Sequence, residues 1–202
     1  LRRTYARKKV VKEEKTAPKA VAGAFLDDAM REALSPVLAR FEKPLLLRVS
    51  SDGTLLADEA ESLVRELASL SDTLSYEVVR EGNPDVTISI CSAEGKDLGL
   101  RFHGVPGGHE FNSFILALYN AAGPGQDVGE ALQQRIEGIS HDIHIDIAVS
   151  LSCTMCPDLV AAAERIAADN DHVSVDVYDL AHYPDMQKKY NIMSVPCLIM
   201  DG

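Results

Sequence analysis

Two periodicities divide the chain into short elements. In Ile143–Val149 branched apolar residues occupy every second position, with His144, Asp146 and Ala148 between them, which predicts a strand. From Asp158 to Ala168 the residues Leu159, Val160, Ala163, Ile166 and Ala167 share one face, which predicts a helix. By the same criteria strands are expected at Leu45–Ser50, Leu74–Val79, Val86–Cys91, Leu98–Phe102, Val173–Tyr178 and Cys197–Met200. Helices are expected over Phe25–Phe41 (Leu26, Met30, Leu34, Val37, Leu38, Phe41), Ala57–Leu70 (Ala60, Leu63, Val64, Leu67) and Glu110–Ala121 (Phe111, Phe114, Ile115, Leu118). Another carries Val128, Ala131, Leu132, Ile136 and Ile139, and a short one lies near Asp185–Tyr190. Pro36 interrupts the first helix; it reads as the first residue of a second helix capped by Ser35, or as a kink.

The breakers lie between these elements. Asn83-Pro84 leads into a strand, Ser92–Asp97 reads as a hairpin turn, and Asp201-Gly202 begins another. Gly123-Pro124-Gly125 marks a boundary, and after it a helix-strand-turn-helix-strand-helix-strand order repeats the opening pattern. The reading is an α/β fold of two tandem units packed as one module. Residues 1–22 form a basic arm, 23–123 one unit and 126–202 the other. The second unit stops before a last strand and helix, which leaves Cys197–Met200 as an exposed edge. One pattern fits poorly. Strands covered on both sides are nearly all apolar, yet His144, Asp146, Ser174 and Asp176 alternate with Ile and Val. One sheet face is thinly covered, or elements beyond this chain complete it.

Charge changes the picture at one end only. The 202 residues carry a net −11, but residues 1–20 hold eight Lys/Arg against Glu13 and Glu14. The acidic remainder argues against nucleic acid and anionic membrane as partners. No run of about 18 apolar residues predicts a membrane span. The charged start has no apolar leader and no initiator Met, so the chain reads as a cytoplasmic piece of something longer. Four cysteines are too few for a disulfide scaffold.

The candidate chemistry sits between the Ile143 strand and the Asp158 helix, in Ser150-Leu151-Ser152-Cys153-Thr154-Met155-Cys156-Pro157. A sulfur at a helix N-terminus meets free N–H groups and the positive end of the dipole, which favour a thiolate. Cys153 is then the attacking sulfur and Cys156, one turn later, displaces the mixed disulfide. The pair could instead be half a zinc site or inert, but four-thiolate zinc needs a second close pair and Cys91 and Cys197 are isolated. No metal is expected. His141 and His144 point to opposite faces of a strand start, and His103 and His109 flank a turn at the surface or beside the site. Cys197 reads as a small apolar strand residue. On position alone Glu110 is a dipole-stabilising carboxylate in a first helical turn.

Four segments together resemble a known family: the cysteine turn, Arg101-Phe102-His103-Gly104-Val105-Pro106-Gly107-Gly108-His109-Glu110-Phe111, Phe114-Ile115-Leu116-Ala117-Leu118 and Asn191-Ile192-Met193-Ser194-Val195-Pro196. From about residue 25 onward the chain resembles the N-terminal tandem thioredoxin-fold domain of the alkyl hydroperoxide reductase flavoprotein AhpF, which reduces a peroxiredoxin. The resemblance implies two thioredoxin-like folds, only the second redox-active, that relay electrons from a flavoprotein reductase unit to a peroxiredoxin disulfide. It implies Cys153 and Cys156 as the redox pair, Glu110 as a group assisting proton movement, and Pro196 as a cis-proline beside the dithiol. Thr154, Met155, Val195 and Pro196 are the positions expected to meet the partner chain. The sequence has no G-x-G-x-x-G fingerprint, so FAD and NAD(P)H are expected on a fused or partner reductase and not on this chain. The basic arm is outside the family pattern and is consistent with a module that follows another domain. Two other functions fit the same residues: a general protein disulfide oxidoreductase, and a non-catalytic adaptor docking through its sheet edge.

Overall fold

The apolar positions of the alternating strands face one core, and the helices supply the matching apolar stripes. The computed structural model describes residues 25–51, 53–80 and 85–200. The expected basic arm, the Asn83-Pro84 lead-in and the Asp201-Gly202 turn lie outside the described residues. In chain order the elements are α1 (Asp28–Leu38), β1 (Leu45–Ser51), α2 (Leu55–Ser69), β2 (Leu74–Arg80), β3 (Thr87–Ser92), β4 (Asp97–His103), α3 (Glu110–Ala122), α4 (Glu130–Glu137), β5 (Ile143–Val149), α5 (Cys156–Asp169), β6 (Val173–Asp179), α6 (Pro184–Lys189) and β7 (Cys197–Met200).

The strands form one mixed sheet in the order β2-β1-β3-β4-β6-β5-β7. Each half contains a parallel pair joined by a helix, β1-α2-β2 and β5-α5-β6, flanked by antiparallel strands. Parallel pairing of β4 with β6, Leu100 beside Val175 and Phe102 beside Val177, joins the halves into a single seven-stranded sheet. The tandem α/β architecture is therefore one continuous module. β7 is a sheet edge, with Leu198 and Met200 turned to solvent.

Leu47 and Val49 of β1, Ile88 and Ile90 of β3, Phe102 of β4, Ile147 of β5 and Val175 and Val177 of β6 pack with α2, α3 and α5 in one core. α1 joins the same core through Leu34 and Leu38 and runs unbroken through Pro36. The expected break or cap at Ser35 is not there. Proline removes one helical hydrogen bond, and burial of Leu34 and Leu38 on either side of it outweighs that loss.

The other sheet face explains the polar alternation. Arg101 of β4, Asp176 of β6 and Asp146 of β5 stand in one row across the sheet. Arg101 Nη1 donates to Asp176 Oδ2 at 2.9 Å, and His103 Nε2 lies 2.6 Å from Asp176 Oδ1. His144 bridges Asp146 at 3.0 Å and Ser174 at 2.9 Å. Polar groups in a strand are tolerated here because they satisfy one another. Burial opposes ionisation of Asp176, but the His103 hydrogen bond and the Arg101 charge outweigh it and hold the carboxyl below its ordinary value. A depressed carboxyl contributes stability that is present above its unfolded value and lost as the pH falls through the folded one. Asp176→Asn is expected to cost on the order of 2 kcal/mol at pH 7, a difference that shrinks as the pH falls below the unfolded value of about 4 and closes only below the depressed folded one. Urea unfolding midpoints across that pH range check it.

Candidate active site

β5 carries the chain out of the core at Val149, and Ser150–Met155 must turn it into α5. The turn closes with Cys153 N–H donating to Ser150 O at 2.9 Å. Pro157 occupies the first turn of α5, where its missing N–H has no helical partner to lose. The residue at the cap position, Met155, offers no side-chain acceptor to the free amides. Cys153 Sγ takes that place, accepting from Cys156 N–H at 3.2 Å. An acceptor sulfur in the dipole's positive end is the arrangement that lowers a thiol pKa.

Cys153 and Cys156 are joined as a disulfide, with their Cα atoms 5.6 Å apart. Their surroundings differ. Cys156 is fully buried, whereas Cys153 is half-buried and its neighbours Thr154 and Met155 are exposed. The Val195–Pro196 peptide is cis. Val195 O lies 4.0 Å from Cys153 Sγ, so this segment and the cysteine turn bring the expected contact positions Thr154, Met155, Val195 and Pro196 to one place. Met193, 87% exposed, adds an apolar side chain to the same segment. The sequence marks it only as part of the Asn191–Pro196 segment, because a lone loop methionine carries no periodicity.

Glu110 is the first residue of α3 and is not a solvated dipole partner: its exposure is 0%. The chain reaches it through Gly108, whose φ is +52°, and His109 N–H donates to Leu151 O at 3.0 Å. That bond ties the start of α3, in the first half, to the cysteine turn in the second. Ser113 Oγ lies 2.5 Å from Glu110 Oε2, while Oε1 is buried with no partner among the described residues. Burial pushes the carboxyl above its ordinary value, against the lowering effect of Ser113.

The other sequence candidates fall elsewhere. His109 and His141 are exposed. His103 is not at the surface of a turn: it sits between Thr87 and Asp176 and stacks on Tyr178 with centroids 3.9 Å apart. His144, Asp146 and Asp176 each present a possible metal-ligand atom, all within 4.8 Å of one another. Arg101 and His103 already engage both Asp176 oxygens, so the trio is read as part of the ion-paired face. Cys91 is buried in β3, its thiol pushed up by burial, and Cys197 packs beside Ala148, Met186 and Ile192. A cleft of about 660 Å³ opens near Asp146, Tyr178 and Tyr183, and none of the cysteine-turn residues lines it. Tyr183, which the sequence pattern also leaves unmarked, joins the halves by donating to Val86 O at 2.7 Å and accepting from Val86 N–H at 3.0 Å.

A βαβ unit whose helix opens on a disulfide of one half-buried and one fully buried sulfur defines a dithiol–disulfide oxidoreductase of the thioredoxin type. The thioredoxin-domain family model matches residues 143–202. The chain is 34% identical to the NTD_N/C domain of alkylhydroperoxide reductase AhpF from Enterococcus faecalis (V583), covering 88% of this chain and 91% of that one with a TM-score of 0.82. It is 32% identical to the alkyl hydroperoxide reductase AhpF protein of Xanthomonas campestris pv. phaseoli over 88% of this chain and 33% of that protein. A Bacillus subtilis (strain 168) protein named NADH dehydrogenase is 32% identical, over 88% of this chain and 34% of its own length. The chain belongs to the family of N-terminal domains of alkyl hydroperoxide reductase AhpF. It spans about a third of the length of the curated relatives it matches. Among the described residues no helix is long and apolar enough to cross a membrane.

Proposed function

We propose that this chain is an electron-relay module that passes reducing equivalents from a flavoprotein reductase unit to the disulfide of a peroxiredoxin. One observation carries the reading: a disulfide at the start of α5 with Cys156 buried and Cys153 reachable, its sulfur accepting from the helix amide. In the reduced module the Cys153 thiolate attacks one sulfur of the partner disulfide, whose S–S bond breaks and whose other sulfur leaves. Cys156 then attacks Cys153 Sγ. The partner departs as a dithiol, and the Cys153–Cys156 bond forms again. A dithiol on the reductase unit reverses this sequence to reload the pair. Glu110 supplies or takes the proton that accompanies the change at Cys156.

The described residues do not fit a flavin or nicotinamide. The turn after β5 is closed by the disulfide, and the turn after β1 contains Gly53 facing Arg80 and not a glycine-rich cradle. The reading places FAD and NAD(P)H on the reductase unit, on the same polypeptide or a partner. The name NADH dehydrogenase, carried by a much longer relative, agrees with that division.

The test mixes the pre-reduced chain with an oxidised peroxiredoxin and, separately, with insulin. Thiol transfer to the peroxiredoxin is expected to be at least about tenfold faster. Equal or faster reduction of insulin would replace this reading with a general protein disulfide oxidoreductase.

A further inference from the structure

The chain has five methionines, Met30, Met155, Met186, Met193 and Met200. Met30 packs against the core and Met186 is buried. Met155 is 66% exposed and Met193 87% exposed, and both belong to the segments that meet at Cys153. Met155 lies between the two cysteines, at the cap position of α5. Met193 stands two residues before Val195, whose carbonyl oxygen is 4.0 Å from Cys153 Sγ. Met200 is 59% exposed but lies on β7, at the sheet edge.

No residue from Ser150 to Pro157 or from Ile192 to Pro196 is charged, although the chain as a whole carries a net −11. A partner therefore meets this surface through apolar and backbone contacts, and Met155 and Met193 are its large exposed apolar side chains. Bond formation enforces the contact. A partner sulfur has to come to about 2 Å from Cys153 Sγ, so the residues on either side of that sulfur lie over the exposed neighbours of Cys153. We propose that Met155 and Met193 form a peroxide-sensitive docking pair: as thioethers they receive the partner chain, and their oxidation to sulfoxides by a hydroperoxide weakens docking and slows the relay.

In the oxidised module Cys153 and Cys156 are bonded to each other, Cys91 is fully buried and Cys197 packs beside Ala148, Met186 and Ile192. The thioethers of Met155 and Met193, with that of Met200, are then the open reduced sulfurs among the described residues. A lone pair of the thioether forms an S–O bond to the distal peroxide oxygen, and the O–O bond breaks. The hydroperoxide proton passes to the departing oxygen, which leaves as an alcohol, or as water from hydrogen peroxide. Sulfur is oxidised by two electrons and the peroxide is reduced by two. The sulfoxide oxygen is a strong acceptor, and covering it with an apolar partner surface leaves it without a donor. The purpose of this switch rests on the relay reading; the oxidation itself does not.

The test treats the disulfide form with hydrogen peroxide, removes the peroxide with catalase and measures sulfoxide at each methionine by peptide mass spectrometry. Met155, Met193 and Met200 are expected to gain one oxygen each, ahead of Met30 and Met186. The chain is then reduced, and its thiol transfer to an oxidised peroxiredoxin and to insulin is compared with that of the untreated chain. A fall of about tenfold is expected with whichever protein disulfide the untreated chain reduces. The rate at which dithiothreitol, which covers neither methionine, reduces the module's own disulfide is expected to change by less than about twofold. In the double variant Met155→Leu with Met193→Leu, treated and untreated rates should agree; in Met200→Leu the tenfold fall should remain. Sulfoxide at both positions with an unaltered transfer rate overturns the docking pair. The same fall in the double variant assigns it to another sulfur, and an equal fall with dithiothreitol places the damage at the disulfide; either overturns the proposal. An untreated chain that reduces insulin but not peroxiredoxin overturns the relay reading instead, and the methionine comparison is then decided on insulin.

Discussion

Cys153→Ser is expected to abolish transfer to a partner disulfide, by at least about 10³-fold, while Cys156→Ser still makes the first attack and stalls. The asymmetry follows from placement. Cys153 is the sulfur with solvent access and the one accepting from the α5 amide, so removing it removes the attacking group. Cys156 is wholly buried and can act only on a neighbour already bonded to Cys153. In Cys156→Ser the mixed disulfide should therefore accumulate as a covalent complex on a non-reducing gel. Equal residual turnover in the two variants, or a trapped complex with Cys153→Ser instead, would reverse the assignment. Neither change should unfold the chain, since the core around α5 rests on Val160, Ala163 and Ala167 as well as the sulfur.

Gly108→Ala is expected to be the most damaging single methyl in the described structure. A Cβ there would lie 2.4 Å from Leu151 O, a backbone atom, and the φ of +52° is one that non-glycine residues adopt at a cost. Relief requires Leu151 to move, and Leu151 is held by His109 N–H two residues before Cys153. A loss of about 2–4 kcal/mol in stability is expected, together with slower disulfide exchange. Gly129→Ala is the comparison. Its φ of 77° and ψ of 148° lie in a region that only glycine adopts readily, but nothing lies within 4 Å of the added atom, so its loss of about 1–3 kcal/mol is backbone cost alone. Chemical denaturation of both variants sets the steric loss against a purely conformational one. A Gly108→Ala loss below that of Gly129→Ala would mean that the Gly108 contact with the cysteine turn has little energetic weight.

Much of this architecture is readable from alternation alone. β5 and β7 have the predicted bounds, and the other strands shift by a residue or two, because the branched apolar positions of each strand go to the core and a slip would expose them. The cysteine turn is legible for the same reason: a strand that ends and a helix that begins leave only the turn between them. Pro36 misleads because local propensity is weaker than the packing of Leu34 and Leu38. The polar alternation of β5 and β6 is visible, but not that Arg101 and His103 from the other half answer it, since β4–β6 pairing is a long-range event. On position alone Glu110 reads as a dipole partner, because a carboxylate in a first helical turn is favoured there; its burial comes from the long-range packing of the start of α3 on the cysteine turn.

Cysteine alkylation in the reduced chain is the most direct measurement. Labelling with iodoacetamide across pH 5 to 10, resolved by peptide mass spectrometry, reads each sulfur separately. Cys153 should react first, with a midpoint below the ~8.5 of an ordinary thiol, and Cys156 should remain protected until the chain unfolds. Two sulfurs that label together at the ordinary thiol midpoint, or Cys156 ahead of Cys153, would contradict a helix-held nucleophile and the electron relay built on it.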